Sequence, residues 1–160
     1  MDAERIYVDT SVIGGCFDPE FSPWSNGLFK DFRLGIYAPV VSDIVAAEIA
    51  PAPEHIRAKY AELVGVGAEI LRVDDPGAEL LADVYLARRI VPARFADDAL
   101  HIALATTAKV NVLVSWNFKH IVHYDKIRMF NAVNLELGYS ELRIHSPREV
   151  THYEEDHQGV

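Results

Sequence analysis

A chain of 160 residues, half of them hydrophobic and about a quarter charged, has the size and composition of one globular domain with a real core. Its formal net charge of −9 at pH 7 excludes a protein that grips nucleic acid through bulk positive charge, so any such contact must be local or bridged by divalent cations. No apolar run reaches the length of a membrane span, the start lacks the basic-then-apolar layout of a secretion signal, and the single cysteine, Cys16, has no partner for an internal disulfide; the expected location is the cytoplasm, with no membrane involved.

Ile6, Tyr7 and Val8 form a short strand-type run that stops at Asp9, Thr10 and Ser11. A Gly-, Asp- and Pro-containing loop is expected next. Ser22 as cap and Pro23 as first position then open a helix to Arg33, with Trp24, Leu28 and Phe32 on one face that serves as core or as a dimer seam. Residues 36–41 read as a second strand leading through Ser42 into a short helix with Ile44, Val45, Glu48 and Ile49. Pro51 and Pro53 break it, and residues 54–64 form another helix. A third strand follows at residues 69–73, then a helix opened by Asp74, Asp75 and Pro76 and closing near Ala87. The helix from Asp97 or Asp98 to about Ala108 is apolar over most of its circumference, which predicts burial against a sheet. Val112, Leu113 and Val114 make a fourth strand, ending in Ser115, Trp116, Asn117 and Phe118. A small helix after Lys119, a stretch of unassigned type over residues 127–137 and a late strand at residues 142–144 complete the order. Residues 1–147 are read as one domain and 148–160 as a polar, acidic tail. Alternating strands and helices predict a three-layer α/β/α fold around a mainly parallel sheet.

Four residues stand out chemically. Asp9 ends a buried strand, at the sheet edge where α/β proteins place ligands. Glu48 lies one helical turn from Ile44 and Val45, so it points inward or along the margin of the buried face, where a carboxylate needs a cation or several donors. Asp97 and Asp98 open a helix; Asp98 shares a face with Ile102 and Ala105 and takes the functional role, Asp97 the cap, with His101 one turn further as support. Asn117 follows the fourth strand, its amide oxygen a neutral ligand or a water-orienter. The hydroxyls of Thr10, Ser11 and Ser115, with Lys119, His120 and His123, are the candidate nucleic-acid contacts. Lys126 and Arg128 extend this dense basic stretch. No dinucleotide or P-loop fingerprint and no Gly-x-Ser-x-Gly elbow occurs, and scattered histidines beside a lone cysteine argue against zinc.

Asp9-Thr10-Ser11 after strand one, Ser42 to Glu48 after strand two, Asp98-Ala99-Leu100-His101-Ile102 and Ser115-Trp116-Asn117-Phe118 together resemble the PIN-domain family, the fold of VapC-type toxin ribonucleases. The resemblance spans roughly residues 4 to 147 and implies a five-stranded sheet, an acidic pocket for Mg²⁺ or Mn²⁺, hydrolysis of single-stranded RNA and frequent homodimers. It implies Asp9 and Asp98 as direct metal ligands, with Glu48 binding through water or orienting the attacking water, and an antitoxin protein as partner. Asn117 stands where many family members carry an acid, leaving three carboxylates. A catalytically weakened PIN-like module that binds RNA or protein is the alternative. A small phosphohydrolase ranks lower, since no second Asp follows Asp9 by two residues.

Overall fold

The computed structural model describes residues 2–152. Five strands, β1 (Glu4–Val8), β2 (Tyr37–Ser42), β3 (Glu69–Leu71), β4 (Val112–Val114) and β5 (Arg143–His145), form one sheet in the order β3-β2-β1-β4-β5 with every ladder parallel. The registers pair Tyr7 with Val40 and with Leu113, so the apolar runs stack side by side in the centre. Such runs, apolar on both faces, require cover on both. Helices α1 (Thr10–Gly15), α2 (Ser22–Arg33), α3 (Asp43–Ile49) and α4 (Glu54–Gly65) pack on one another, and α5 (Pro76–Ala87), α6 (Ala96–Thr107) and α7 (Tyr124–Glu136) form a second group. Right-handed crossovers place these two groups on opposite faces. The three-layer α/β/α expectation holds, and the sheet is wholly parallel. Among the described residues no helix is long and apolar enough to cross a membrane.

Chain direction across the sheet reverses at β1. From β1 the chain steps outward to β2 and β3, then returns to the other side for β4 and β5. The carboxyl ends of β1 and β4 therefore flank the topological switch point, where the two loops diverge and leave a crevice. Asp9 follows β1 and Ser115 follows β4 at that place.

Several expected boundaries move. The loop expected after β1 is helix α1, which starts at once because Asp9 acts as its cap, accepting from Val12 N at 3.3 Å. Phe21, not Ser22, is the capping position of α2. Leu28 and Phe32 are core residues, so that face is packing. Helix α6 begins at Ala96, with Phe95 before it, so Asp97 is an exposed first-turn residue and not the cap. The small helix expected after Lys119 is a turn, and the later stretch is the single helix α7. Nor do residues 148–152 belong to a tail. Ser146 and Glu149 form a reciprocal cap on a short helix, α8 (Pro147–Val150), which packs on α2. Tyr37 Oη donates to Val150 O at 2.8 Å, and the buried Asp31 carboxylate accepts from His152 N at 3.1 Å. The rest of the expected tail, residues 153–160, lies outside the described residues.

Gly15 closes α1 against the neighbouring loop. A Cβ there would stand 2.7 Å from both Ser25 Oγ and Trp116 Nε1, whereas one at Gly14 would meet nothing within 4 Å. Gly15→Ala is expected to lower stability by about 1–3 kcal/mol through overpacking, while Gly14→Ala gains up to ~1 kcal/mol of helix propensity. Urea denaturation of the two variants reads the difference.

Candidate active site at the carboxyl rim of the sheet

Asp9 is 4% exposed, a carboxylate driven into the core by the apolar strand before it. Ser11 Oγ donates to its Oδ1 at 2.6 Å and Ser115 Oγ to its Oδ2 at 2.6 Å. Burial pushes its pKa up. The His101 charge, the two hydroxyls and the Val12 N–H pull the other way without restoring the ordinary value. The hydroxyls also accept: Ser11 Oγ from Trp116 N and Ser115 Oγ from Asn117 N, both at 2.9 Å. The loops after β1 and β4 are thereby tied together through the acid.

Glu48 projects from α3 to the rim, its side chain about a third exposed. Its Oε1 accepts from Thr10 Oγ1 at 2.8 Å and from His101 Nε2 at 2.8 Å. His101 is buried in α6, and its Nδ1 lies 2.6 Å from Tyr7 Oη, which is 2.7 Å from Ser42 Oγ. A carboxylate can only accept, so Nε2 carries the proton facing Glu48. For His101, burial would lower the pKa, but the Glu48 hydrogen bond and the charges of Asp9, Glu48 and Asp98 outweigh it and the pKa is raised. For Glu48, burial would raise the pKa, and the His101 hydrogen bond and charge with the Thr10 hydroxyl bring it down. When protonated, the ring donates at both nitrogens, and Tyr7 passes the chain on by donating to Ser42. His101 is the counter-charge felt by all three acids.

Asp98 lies in the first turn of α6, its side chain 20% exposed. Its Oδ2 accepts from Asn117 Nδ2 at 3.2 Å and from His120 Nδ1 at 2.9 Å. Asn117 Oδ1 accepts from Lys119 N at 3.2 Å and His120 N at 2.9 Å. Those two backbone donors fix which way the amide points, so its oxygen closes the turn and is not the open ligand the sequence suggested. Asn117 is a positioning residue for Asp98.

The expected nucleic-acid contacts divide. Ser115 and His120 are buried and engaged with Asp9 and Asp98, His120 also lying against Phe95 at 4.3 Å, so neither is a surface contact. Ser11 and Thr10 hold Asp9 and Glu48. Lys119 and His123 are exposed. Two members of the basic stretch have local partners: Lys126 Nζ donates to Ile90 O at 2.6 Å, and Arg128 lies over the Tyr124 ring and 3.9 Å from Asp125. Tyr7, the partner of His101, and Ser42, the partner of Tyr7, were missed as site residues. The available signal was a phenol at the centre of an apolar strand, whose hydroxyl needs a partner when buried.

The donor chemistry is all hard oxygen, which suits Mg²⁺ or Mn²⁺. Among the described residues no three His, Cys, Asp or Glu side chains gather closely enough to enclose a metal. The arrangement fits a cation held by one or two carboxylates that keeps most of its waters. A groove of about 680 Å³ along α7, lined by Ile127, Arg128, Met129 and Leu135 among others, contains none of these acids.

No family model matches the chain, and no curated protein matches its sequence. Solved structures do. A chain of VapBC2 from Rickettsia felis, bound to a DNA fragment from its promoter, aligns with TM-score 0.56 and 14% identity over 89% of this chain and 98% of that one. VapC20 from Mycobacterium tuberculosis, a sarcin–ricin loop cleaving toxin, aligns with TM-score 0.54 and 15% identity over 86% of this chain and 98% of that one. At such identity the shared property is the path of the backbone, and it is the three-layer fold of the VapC-type PIN domains.

Proposed function

We propose that the protein is a Mg²⁺- or Mn²⁺-dependent ribonuclease that hydrolyses phosphodiester bonds in single-stranded RNA, acting in the cytoplasm as the toxin of a toxin–antitoxin pair and as a homodimer. The observation that carries this reading is Asp9: a buried acid at the switch point, tied to both rim loops, with Glu48 and Asp98 sharing its counter-charge His101. The likeness to VapC20, described as a sarcin–ricin loop cleaving toxin, supports the reaction class, and the likeness to VapBC2 supports a toxin–antitoxin setting.

A bound divalent ion would make a water nucleophilic and stabilise charge on the phosphorus oxygens, with Asp9 and Asp98 as its direct ligands. The chain's own groups do the rest. Ser11 and Ser115 orient the two Asp9 oxygens, and Asn117 with His120 orient Asp98. Glu48, kept ionised by His101, accepts a hydrogen bond from the attacking water more readily than it accepts the proton, because a lowered pKa makes a weak base. Exposed Lys119 and His123 contact phosphate. The chain's net charge of −9 makes that docking weak and salt-sensitive.

A second reading, a module that binds RNA without efficient cleavage, is favoured by one observation: Asn117 supplies no fourth acid and no open oxygen. The two readings separate in a single assay with a pool of single-stranded RNAs. Cleavage is expected with Mn²⁺, none after chelation, and full recovery on adding the ion back. Binding without cleavage at saturating Mn²⁺ would establish the module instead.

A further inference from the structure

Phe118 follows Asn117 in the loop after β4 and is half exposed, whereas its neighbour Trp116 is buried. The ring is not loose. Phe118 N donates to Trp116 O at 3.0 Å, and the two rings meet edge to face with centroids 6.1 Å apart. Trp116 is itself held on several sides. Phe21 stacks on it at 4.2 Å, its indole N–H donates to Ser25 Oγ at 2.9 Å, and its backbone N–H donates to Ser11 Oγ. An aromatic ring fixed in this way offers an apolar face to water and has little rotamer freedom left to lose on binding.

Its neighbours give that face a direction. Asn117 on one side donates to Asp98, and Lys119 on the other is an exposed cation. Along the loop, a half-exposed ring thus follows the residue that holds an acid of the rim and precedes an exposed cation. That is the sequence of environments a nucleotide needs: a planar base, and beside it a phosphate drawn by a cation toward the hydrolytic groups.

We infer that Phe118 is the platform on which an unpaired base stacks beside the phosphodiester attacked at the rim. The inference rests on the ribonuclease reading. It assigns Phe118 no part in bond breaking, and it requires the base to be unstacked from its own helix, which selects single strands.

The test uses short single-stranded RNAs carrying the fluorescent base 2-aminopurine at each position in turn. Binding is measured with the Asp9→Asn protein and cleavage with proteins that keep Asp9. One position next to the cut is expected to quench on binding, and Phe118→Ala should remove that quench. In cleavage, Phe118→Ala should raise KM by about tenfold with kcat changed by less than about twofold. Phe118→Trp should keep the quench and the low KM, and Phe118→Leu should behave like Phe118→Ala despite its apolar bulk. An unchanged KM and quench in Phe118→Ala, with cleavage intact, would overturn the stacking role and leave the ribonuclease reading standing. Full rescue by Phe118→Leu would also overturn it, since that pattern marks a general apolar contact such as a protein side chain makes. Absence of both binding and cleavage in the protein with its native residues would defeat the two readings together.

Discussion

Asp9→Asn is expected to lower kcat/KM for RNA by about 10²–10³-fold or more, the scale on which losing a group that organises transition-state charge is felt. The same change should leave the metal-free protein as stable as before, or more stable, above neutral pH. The sign follows from the raised pKa of Asp9. A carboxyl that prefers its neutral form in the folded chain contributes stability below its unfolded pKa, and this is lost as pH rises through the folded value. Asn keeps the acceptor for Ser11 and Val12 and carries no charge, so the melting temperature of the variant should overtake that of the native protein as pH increases. Mn²⁺ should then raise the melting temperature of the native protein and leave the variant unmoved, since only a ligand bound by the folded state stabilises it. Thermal melts at pH 5 and pH 8, with and without the ion, test all of this. A variant that is inactive and also much less stable at pH 8 would mean that Asp9 is structural.

His101→Ala is expected to give the largest loss of stability among single changes at the site, about 1.5–3 kcal/mol near pH 6, because it removes a hydrogen-bonded charge from a pair whose carboxylate is still partly in water. Tyr7 Oη keeps only Ser42, and Asp9, Glu48 and Asp98 lose their shared counter-charge. The deficit depends on pH with a definite sign. His101 has a raised pKa, so its contribution is complete below the unfolded value near 6.5 and fades as pH climbs through the folded one. Glu48 has a lowered pKa, so its contribution is complete above its unfolded value near 4.5 and fades as pH falls through the folded one. The gap between native and variant proteins should be widest between those two values and shrink on the alkaline side. Urea denaturation at pH 5.5 and pH 9 measures it, and equal deficits at both would show that packing rather than charge is what His101 provides.

The sequence carried the scaffold more fully than the site's wiring. Ile6 to Val8 and Val112 to Val114 announce central strands because both faces are buried and no polar residue interrupts them. Asp9, Glu48 and Asp98 were visible because a carboxylate beside a buried stripe is anomalous on its own. What each of them touches was not, since those partners come from the far side of the chain: His101 meets Glu48 across 53 residues, and Ser115 meets Asp9 across 106. Asn117 shows the limit most sharply. Its type at the end of a strand fits an open ligand equally well, and only the turn formed by Lys119 and His120 decides that its oxygen faces backbone. Helix α8 was missed for another reason. The Ser146 and Glu149 spacing is a capping signal, but it sits in a polar stretch whose composition suggested a tail.

The double use of Ser11 and Ser115 has a consequence for how the protein can move. Each hydroxyl donates to Asp9 and accepts from a backbone N–H of the loop after β4, so that surface loop hangs from the innermost pair of strands. Loops at catalytic edges usually open with little free energy, independently of the core. Here the loop can swing out only by stranding a buried carboxylate, which couples its opening to rupture of the sheet centre. The rim is therefore a fixed anvil, to which any bound molecule must conform.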